Sequence, residues 1–149
     1  MMKSKRFEPI QEIASSSANH LSRAMAEAGQ KVAELERQLE QLKTYRDEYV
    51  SNSQEAGAID AVKLQNYRSF LDRLGEALRQ HAKNLDSARA EYEKRRAAWS
   101  EKRVEAESLG RVVDRFRKDE RRAADQREQR EGDDAALRLS MAARGETGN

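Results

Sequence analysis

The stretch LQNYRSFLDRLGEALRQHAKNLDSARAEYEKRRAAWSEKRVEAESLGRVVDRFRKDERRA, Leu64 to Ala123, keeps one heptad register from end to end. Steps of three and four residues alternate from Leu64 through Tyr67, Leu71, Leu74, Leu78, His81, Leu85, Ala88 and Tyr92. They continue through Arg95, Trp99, Lys102, Ala106, Leu109, Val113, Phe116 and Glu120 to Ala123. Of these 18 positions only His81, Arg95, Lys102 and Glu120 are not apolar. Among the large apolar residues of the stretch, Phe70, Val104 and Val112 alone fall outside the register. A period of 3.5 held this long marks a helix that winds around a partner helix. At 1.5 Å per residue the stretch would extend roughly 90 Å, several times the width of a small domain.

The composition suits a seam better than a thick core. Of 149 residues 38% are charged and 37% hydrophobic, and the mean hydropathy is −1.05. No run approaches the ~20 apolar residues of a membrane span. Met1-Met2-Lys3-Ser4-Lys5-Arg6 is not followed by the apolar core of a secretory signal. Without cysteine there are no disulfides and no thiolate chemistry, a composition that fits the cytosol. The net charge of +2 comes from 29 basic and 27 acidic residues that are thoroughly mixed. That reads as a solvated, salt-bridged surface rather than a nucleic-acid footprint.

The same spacing runs upstream through Met25, Ala28, Val32, Leu35, Leu39, Leu42 and Tyr49, with Arg46 the exception. Ile10, Ile13 and Leu21 extend an apolar face further back, in a less regular register. Pro9 fits the start of a helix, where its missing N–H costs nothing. Helix one is therefore expected over about 9–51, a turn over about 52–60 and helix two over about 61–131. Asp60 is the expected N-cap of helix two. From Gly132-Asp133-Asp134 onward, residues 132–149 are expected to be frayed or disordered. Gly29, Gly75 and Gly110 inside the helical pattern are either tolerated costs or close packing contacts.

The fold class that follows is all-α, a long antiparallel two-helix coiled-coil hairpin in a single domain. A short turn near Gly57 to Asp60 would set opposite each other residues whose numbers add to about 119. Leu42 then meets Ala77, Leu35 lies near Asn84, and Ile10 reaches Leu109. On that register helix one is exhausted near Leu109, and Val113 and Phe116 lie on an overhang with no internal partner.

Two stretches stand out from the charged background. Gln38, Leu42, Tyr45 and Tyr49 follow spacings of four, three and four residues. Phe70, Leu74, Ala77 and His81 repeat that spacing on helix two, at the same level of the expected hairpin. Such a stripe is either a widened core near the turn or a surface for a partner, to which aromatic rings contribute strongly.

Gln38 to Asn52 and Asn66 to His81, with the two-helix plan and the length, resemble the flagellar type III export protein family FliJ. The specific match is confined to these two stretches, since charged helices elsewhere would match many coiled coils. The resemblance implies a hairpin similar to the stalk subunit of rotary ATPases. It implies entry of the end carrying both termini into the hexameric flagellar export ATPase FliI. It also implies contact of Gln38, Leu42, Tyr45, Tyr49, Phe70, Leu74, Ala77 and His81 with the export gate protein FlhA. The implied function is coupling of ATPase to gate, with an export-chaperone-like role in flagellum assembly and export chaperones as further partners. The expected localisation is cytoplasmic, with recruitment through partners to the inner membrane at the flagellar base. A monomer is expected for the chain alone.

Other classes find less in the sequence. There is no Gly-rich phosphate loop, no cysteine and no cluster of histidine with carboxylates, so neither an enzyme nor a cofactor or metal is expected. His20 and His81 are the only histidines, and His81 reads first as a plain seam residue, with a pH-sensitive contact as the alternative. From Lys94 to Arg122 there are eleven basic against six acidic residues. Trp99 and Phe116 lie among them, but at seam positions, which argues against stacking on nucleic-acid bases. Contact with an acidic ring lining suits this excess better, with Arg115, Arg117, Arg121 and Arg122 as the candidate ATPase contacts. The stalk of a virulence-type secretion system and a generic coiled-coil scaffold remain the alternatives.

Overall fold

The computed structural model describes residues 2–55, 57 and 60–147. Two helices, α1 (Lys3–Glu55) and α2 (Ala61–Thr147), pack against each other and make the chain all-α. Helix contacts divide the pair into two units, Ala18–Glu101 and Met1–Ser17 with Lys102–Asn149.

The unit Ala18–Glu101 contains the reversal. α1 persists to Glu55, a turn beyond the expected stop at about residue 51. Gly57 follows with φ of 80°, a left-handed conformation that glycine adopts without the Cβ penalty. Ala56, Ala58 and Ile59 of the expected turn lie outside the described residues. Asp60 caps α2 as its sequence position suggested: Oδ1 accepts the Lys63 N–H at 2.8 Å and its carbonyl accepts that of Leu64 at 2.9 Å.

The register of α2 predicts burial closely. Every seam position from Tyr67 through Trp99 in this unit is half-buried or buried, with Leu74, Leu78, Leu85 and Ala88 the deepest. On α1 the seam runs through Ala18, Leu21, Met25, Ala28, Val32, Leu35, Leu39, Leu42, Arg46 and Tyr49. Among the described residues no large side chain is wholly sealed, as expected where each knob has only one facing helix. Arg95 resolves its seam position by donating to the Ala24 carbonyl at 3.0 Å and to Glu91 at 3.0 Å. Gly29 marks a close approach, since an added Cβ would lie 3.4 Å from the Tyr92 ring. No such contact surrounds Gly75 or Gly110, whose nearest neighbours are the flexible ends of Arg79 and Gln11.

The unit formed by Met1–Ser17 and Lys102–Asn149 departs from the expectation most. α1 begins at Lys3 rather than near Pro9, and Pro9 lies inside it. An interior proline forfeits one helical hydrogen bond and costs about 3 kcal/mol. Contacts upstream of Pro9 offset that cost. The Phe7 ring packs on Phe116 with centroids 5.3 Å apart, and Lys3 Nζ lies 5.7 Å from the Phe116 centroid. Glu120 Oε1 accepts the Ser4 N–H at 3.0 Å and Oε2 accepts the Ser4 hydroxyl at 2.6 Å. The Ser4 N–H is one of the orphan donors of a helix N-terminus, so a carboxylate on the facing helix caps α1.

Two further corrections follow. Ile10 and Ile13 are not seam residues; they are 50% and 70% exposed. The seam instead runs through Ser4, Phe7, Gln11, Ala14 and Ala18, continuing the spacing of Leu21 and Met25. Val113 and Phe116 are likewise not unpartnered, for Val113 is only 3% exposed and Phe116 meets Phe7. The overhang begins after Glu120. α2 continues through Gly132 to Thr147, where a frayed segment from residue 132 was expected, and residues 121–146 are all exposed.

The Ser4 hydrogen bonds hold the Glu120 carboxyl below its ordinary value of 4.5, its side-chain bond more than its backbone bond. A depressed carboxyl stabilises the fold above its unfolded value and loses that contribution as pH falls through the folded one. Protection of the Ser4 amide against exchange, taken relative to the intrinsic rate at each pH, should therefore hold at neutral pH and be lost as the pH falls from about 4.5 through the depressed folded value. Glu120→Gln should exchange quickly at neutral pH and lose most of that dependence; an unchanged profile would remove the cap assigned to Glu120.

Candidate functional site

The eight residues of the two stripes all lie in the unit Ala18–Glu101, and the helix pairing brings them together. The Tyr49 ring stands 4.3 Å from Phe70 and stacks on Tyr67 at 5.6 Å with 16° between planes. Tyr45 meets Phe70 edge-on at 6.2 Å. Offset and edge-on pairs of this kind each contribute about 0.5–1.5 kcal/mol beyond burial. A continuous run of four rings thus crosses from α1 to α2. Tyr67 belongs to it although its seam position had marked it only as a packing residue.

At the other end of the stripe Gln38 and His81 line one shallow groove with Gln41, Leu42 and Tyr45, about 380 Å³ in volume. Gln38 is steadied by its amide N–H donating to Glu34 at 3.2 Å, while Glu34 also pairs with Arg37. The His81 Nδ1 is buried without a hydrogen-bond partner.

Burial divides the eight residues by role. Leu74 is 8% exposed and belongs to the seam. Tyr45 is 51% exposed and is the ring most open to a partner. Gln38, Leu42, Tyr49, Phe70, Ala77 and His81 are half-buried, at once core and surface. The stripe therefore combines packed and solvent-exposed side chains, in different residues.

The four candidate arginines lie in the other unit and also separate. Arg117 donates to Glu8 across the helix pair at 2.8 Å and lies 3.8 Å from Asp114. The Glu8 hydrogen bond, the largest cause, holds its guanidinium above its ordinary value. Arg115, Arg121 and Arg122 are exposed. Among the described residues no group of histidines, cysteines or carboxylates could hold a metal, and no helix is long and apolar enough to cross a membrane.

A charged antiparallel helix pair with one aromatic flank belongs to the class of two-helix coiled-coil proteins. The model of the flagellar FliJ protein matches residues 2–145 of the 149-residue chain, and the chain belongs to that family. Membership gives it a role in flagellar protein export. No curated protein and no solved structure matches it.

The division of the stripe has a measurable consequence. Leu74→Ala should lower the unfolding free energy by about 2–3 kcal/mol, the lower part of the range for a buried leucine. Tyr45→Ala should cost about 1 kcal/mol, the scale of its single edge-on contact with Phe70. Urea denaturation followed by circular dichroism checks both, and equal losses would show that Tyr45 is packed rather than presented.

Proposed function

We propose that this chain couples the hexameric flagellar export ATPase FliI to the export gate protein FlhA, with an export-chaperone-like role in flagellum assembly. Family membership supports the export setting. The observation that carries the finer reading is the surface of Tyr45, Tyr49, Tyr67 and Phe70, built by both helices on an otherwise charged pair. Half-buried rings with fixed orientations lose little entropy when a partner covers them, which is how interface anchors work. Gln38, Leu42, Leu74, Ala77 and His81 continue that surface or support it from beneath.

The gate takes the aromatic flank, and the ring takes the basic stretch from Lys94 to Arg122 through Arg115, Arg121 and Arg122. Arg117 contributes less to the ring because its charge already serves Glu8. Within a ring, an asymmetric helical pair favours some subunit interfaces over others and biases the order of their turnover. No catalytic group is required of it. Association with the cytoplasmic face of the inner membrane is peripheral and comes through these partners, and export chaperones bind the same protein.

Tyr45→Ala with Phe70→Ala should leave the helical content intact and weaken binding to FlhA at least tenfold, the loss of one hot-spot residue. Normal affinity and motility would sink the gate assignment, whereas loss of helicity would make these rings core. Replacing Arg115, Arg121 and Arg122 together by alanine, with Arg117 kept, should abolish most stimulation of the ATPase. Stimulation that is unchanged by the triple substitution and flat across a salt series would reject the ring contact.

A further inference from the structure

The α2 seam does not stop where α1 leaves it. Beyond Glu120 the same spacing continues through Ala123, Arg127, Arg130, Asp134, Leu137 and Met141. All of these are exposed, Leu137 by 57% and Met141 by 64%. The helix carrying them is also polarised. Residues 121–130 hold Arg121, Arg122, Arg127 and Arg130 against Asp125 and Glu128. Residues 131–146 hold Glu131, Asp133, Asp134 and Glu146 against Arg138 and Arg144. A helix basic in one half and acidic in the other complements itself when a second copy runs antiparallel.

We propose that the overhang of α2, residues 121–146, pairs antiparallel with the same segment of a second copy of this chain, through a two-fold axis near Gly132. Heptad packing admits only registers that differ by seven residues, and the charges select among them. In one register Ala123 faces the second copy's Met141, Arg127 faces its Leu137 and Arg130 faces its Asp134. A small residue then receives the methionine, and the arginine stem of Arg127 covers the leucine while its head stays in water. Arg130 and Asp134 form an ion pair that the two-fold axis repeats. Shifting by seven in one direction sets Arg127 against Arg130; shifting in the other sets Arg127 against Arg144. Both alternatives stack like charges in the seam.

The flanks agree with the geometry already present in the molecule. Arg89 reaches Glu36 at 3.1 Å and Arg117 reaches Glu8 at 2.8 Å, both across the pair between equivalent heptad positions just outside the seam. The same relation in the proposed register sets Glu131 against the second copy's Arg138, again twice. Asp133 meets its own copy near the axis, a like-charge contact that keeps the association weak and dependent on concentration. Each copy retains its own α1–α2 pairing, so the monomeric hairpin and the dimer share one fold. The proposal does not rest on the partners named above.

Sedimentation equilibrium of the full chain between 1 and 200 µM, at low salt, is the test. A reversible dimer should appear in the upper part of that range and weaken as salt is raised. Arg130→Asp and Asp134→Arg should each reduce association at least fivefold, and the double exchange should restore it. Circular dichroism on each variant separates this from loss of helix. Because the chain has no cysteine, Ala123→Cys and Met141→Cys chains can be mixed and joined by a short bis-maleimide. The antiparallel register predicts a 123–141 adduct in the mixture exceeding the 123–123 and 141–141 products. A chain that is monomeric throughout, a dimer indifferent to the charge exchanges, or a dominant 123–123 adduct would each overturn the proposal.

Discussion

Among the described residues, the seam from Ser4 to Tyr49 on α1 and from Tyr67 to Glu120 on α2 is covered by one facing helix and nothing else. That constraint governs the rest. A knob with a single opposing helix is covered on one side, so even the best-packed positions, such as Val113 and Leu85 at 3% and 5%, keep some contact with water. Polar residues can then occupy the seam at low cost, provided their heads reach solvent or a backbone acceptor. Arg95 finds the Ala24 carbonyl, Lys102 reaches out to Glu105 at 3.1 Å, and Glu120 finds a helix terminus. In a layered globular core the same three charges would carry heavy desolvation penalties. Here they mark places where the seam is thin enough for each to reach a polar partner.

The same geometry explains why the aromatic residues are both structural and available. Phe70 lies just outside the seam of α2, and Tyr45 lies just outside that of α1. Neither could be buried by a two-helix pair. They rest against each other and against Tyr49 and Tyr67, which anchors their rings without covering them. A third helix packed on this flank would have hidden them. The absence of a third layer among the described residues leaves their outward faces open, while their contacts with one another hold the rings in place.

How much of this was legible in the sequence depended on residue size. Large apolar side chains at strict spacing revealed α2 from Tyr67 to Glu120, and with them the seam of α1 from Met25 to Tyr49. Asp60 revealed the start of α2 because a short acceptor side chain there does one recognisable job. The facing of Gln38 by His81 and of Tyr49 by Phe70 followed from the turn. The beginning of α1 was hidden by three coincidences. Its seam consists of Ser4, Gln11, Ala14 and Ala18, none of which looks like a core residue, with only Phe7 to signal otherwise. Ile10 and Ile13 offered a more hydrophobic face that the register rejects. Pro9 imitated a helix start, because a local rule cannot see contacts made to Phe116 and Glu120 across more than a hundred residues. The spacing itself held the correction, since stepping back from Met25 by four and three reaches Leu21, Ala18, Ala14, Gln11, Phe7 and Ser4.

The end of α1 near Ser4 and the exposed length of α2 beyond Glu120 differ in the surface they offer a partner. Away from the aromatic flank and from Ile10 and Ile13, the helix pair presents mainly charged surface with its backbone groups already satisfied. A single helix beyond it is narrower and carries its own seam, now uncovered. Its contacts need be neither numerous nor individually strong for the self-association proposed above, which is weak and dependent on concentration. Weak, salt-sensitive, geometrically specific surfaces suit such an association, and the composition supplies them: 29 basic and 27 acidic residues distributed so that register, rather than net charge, decides which partner fits.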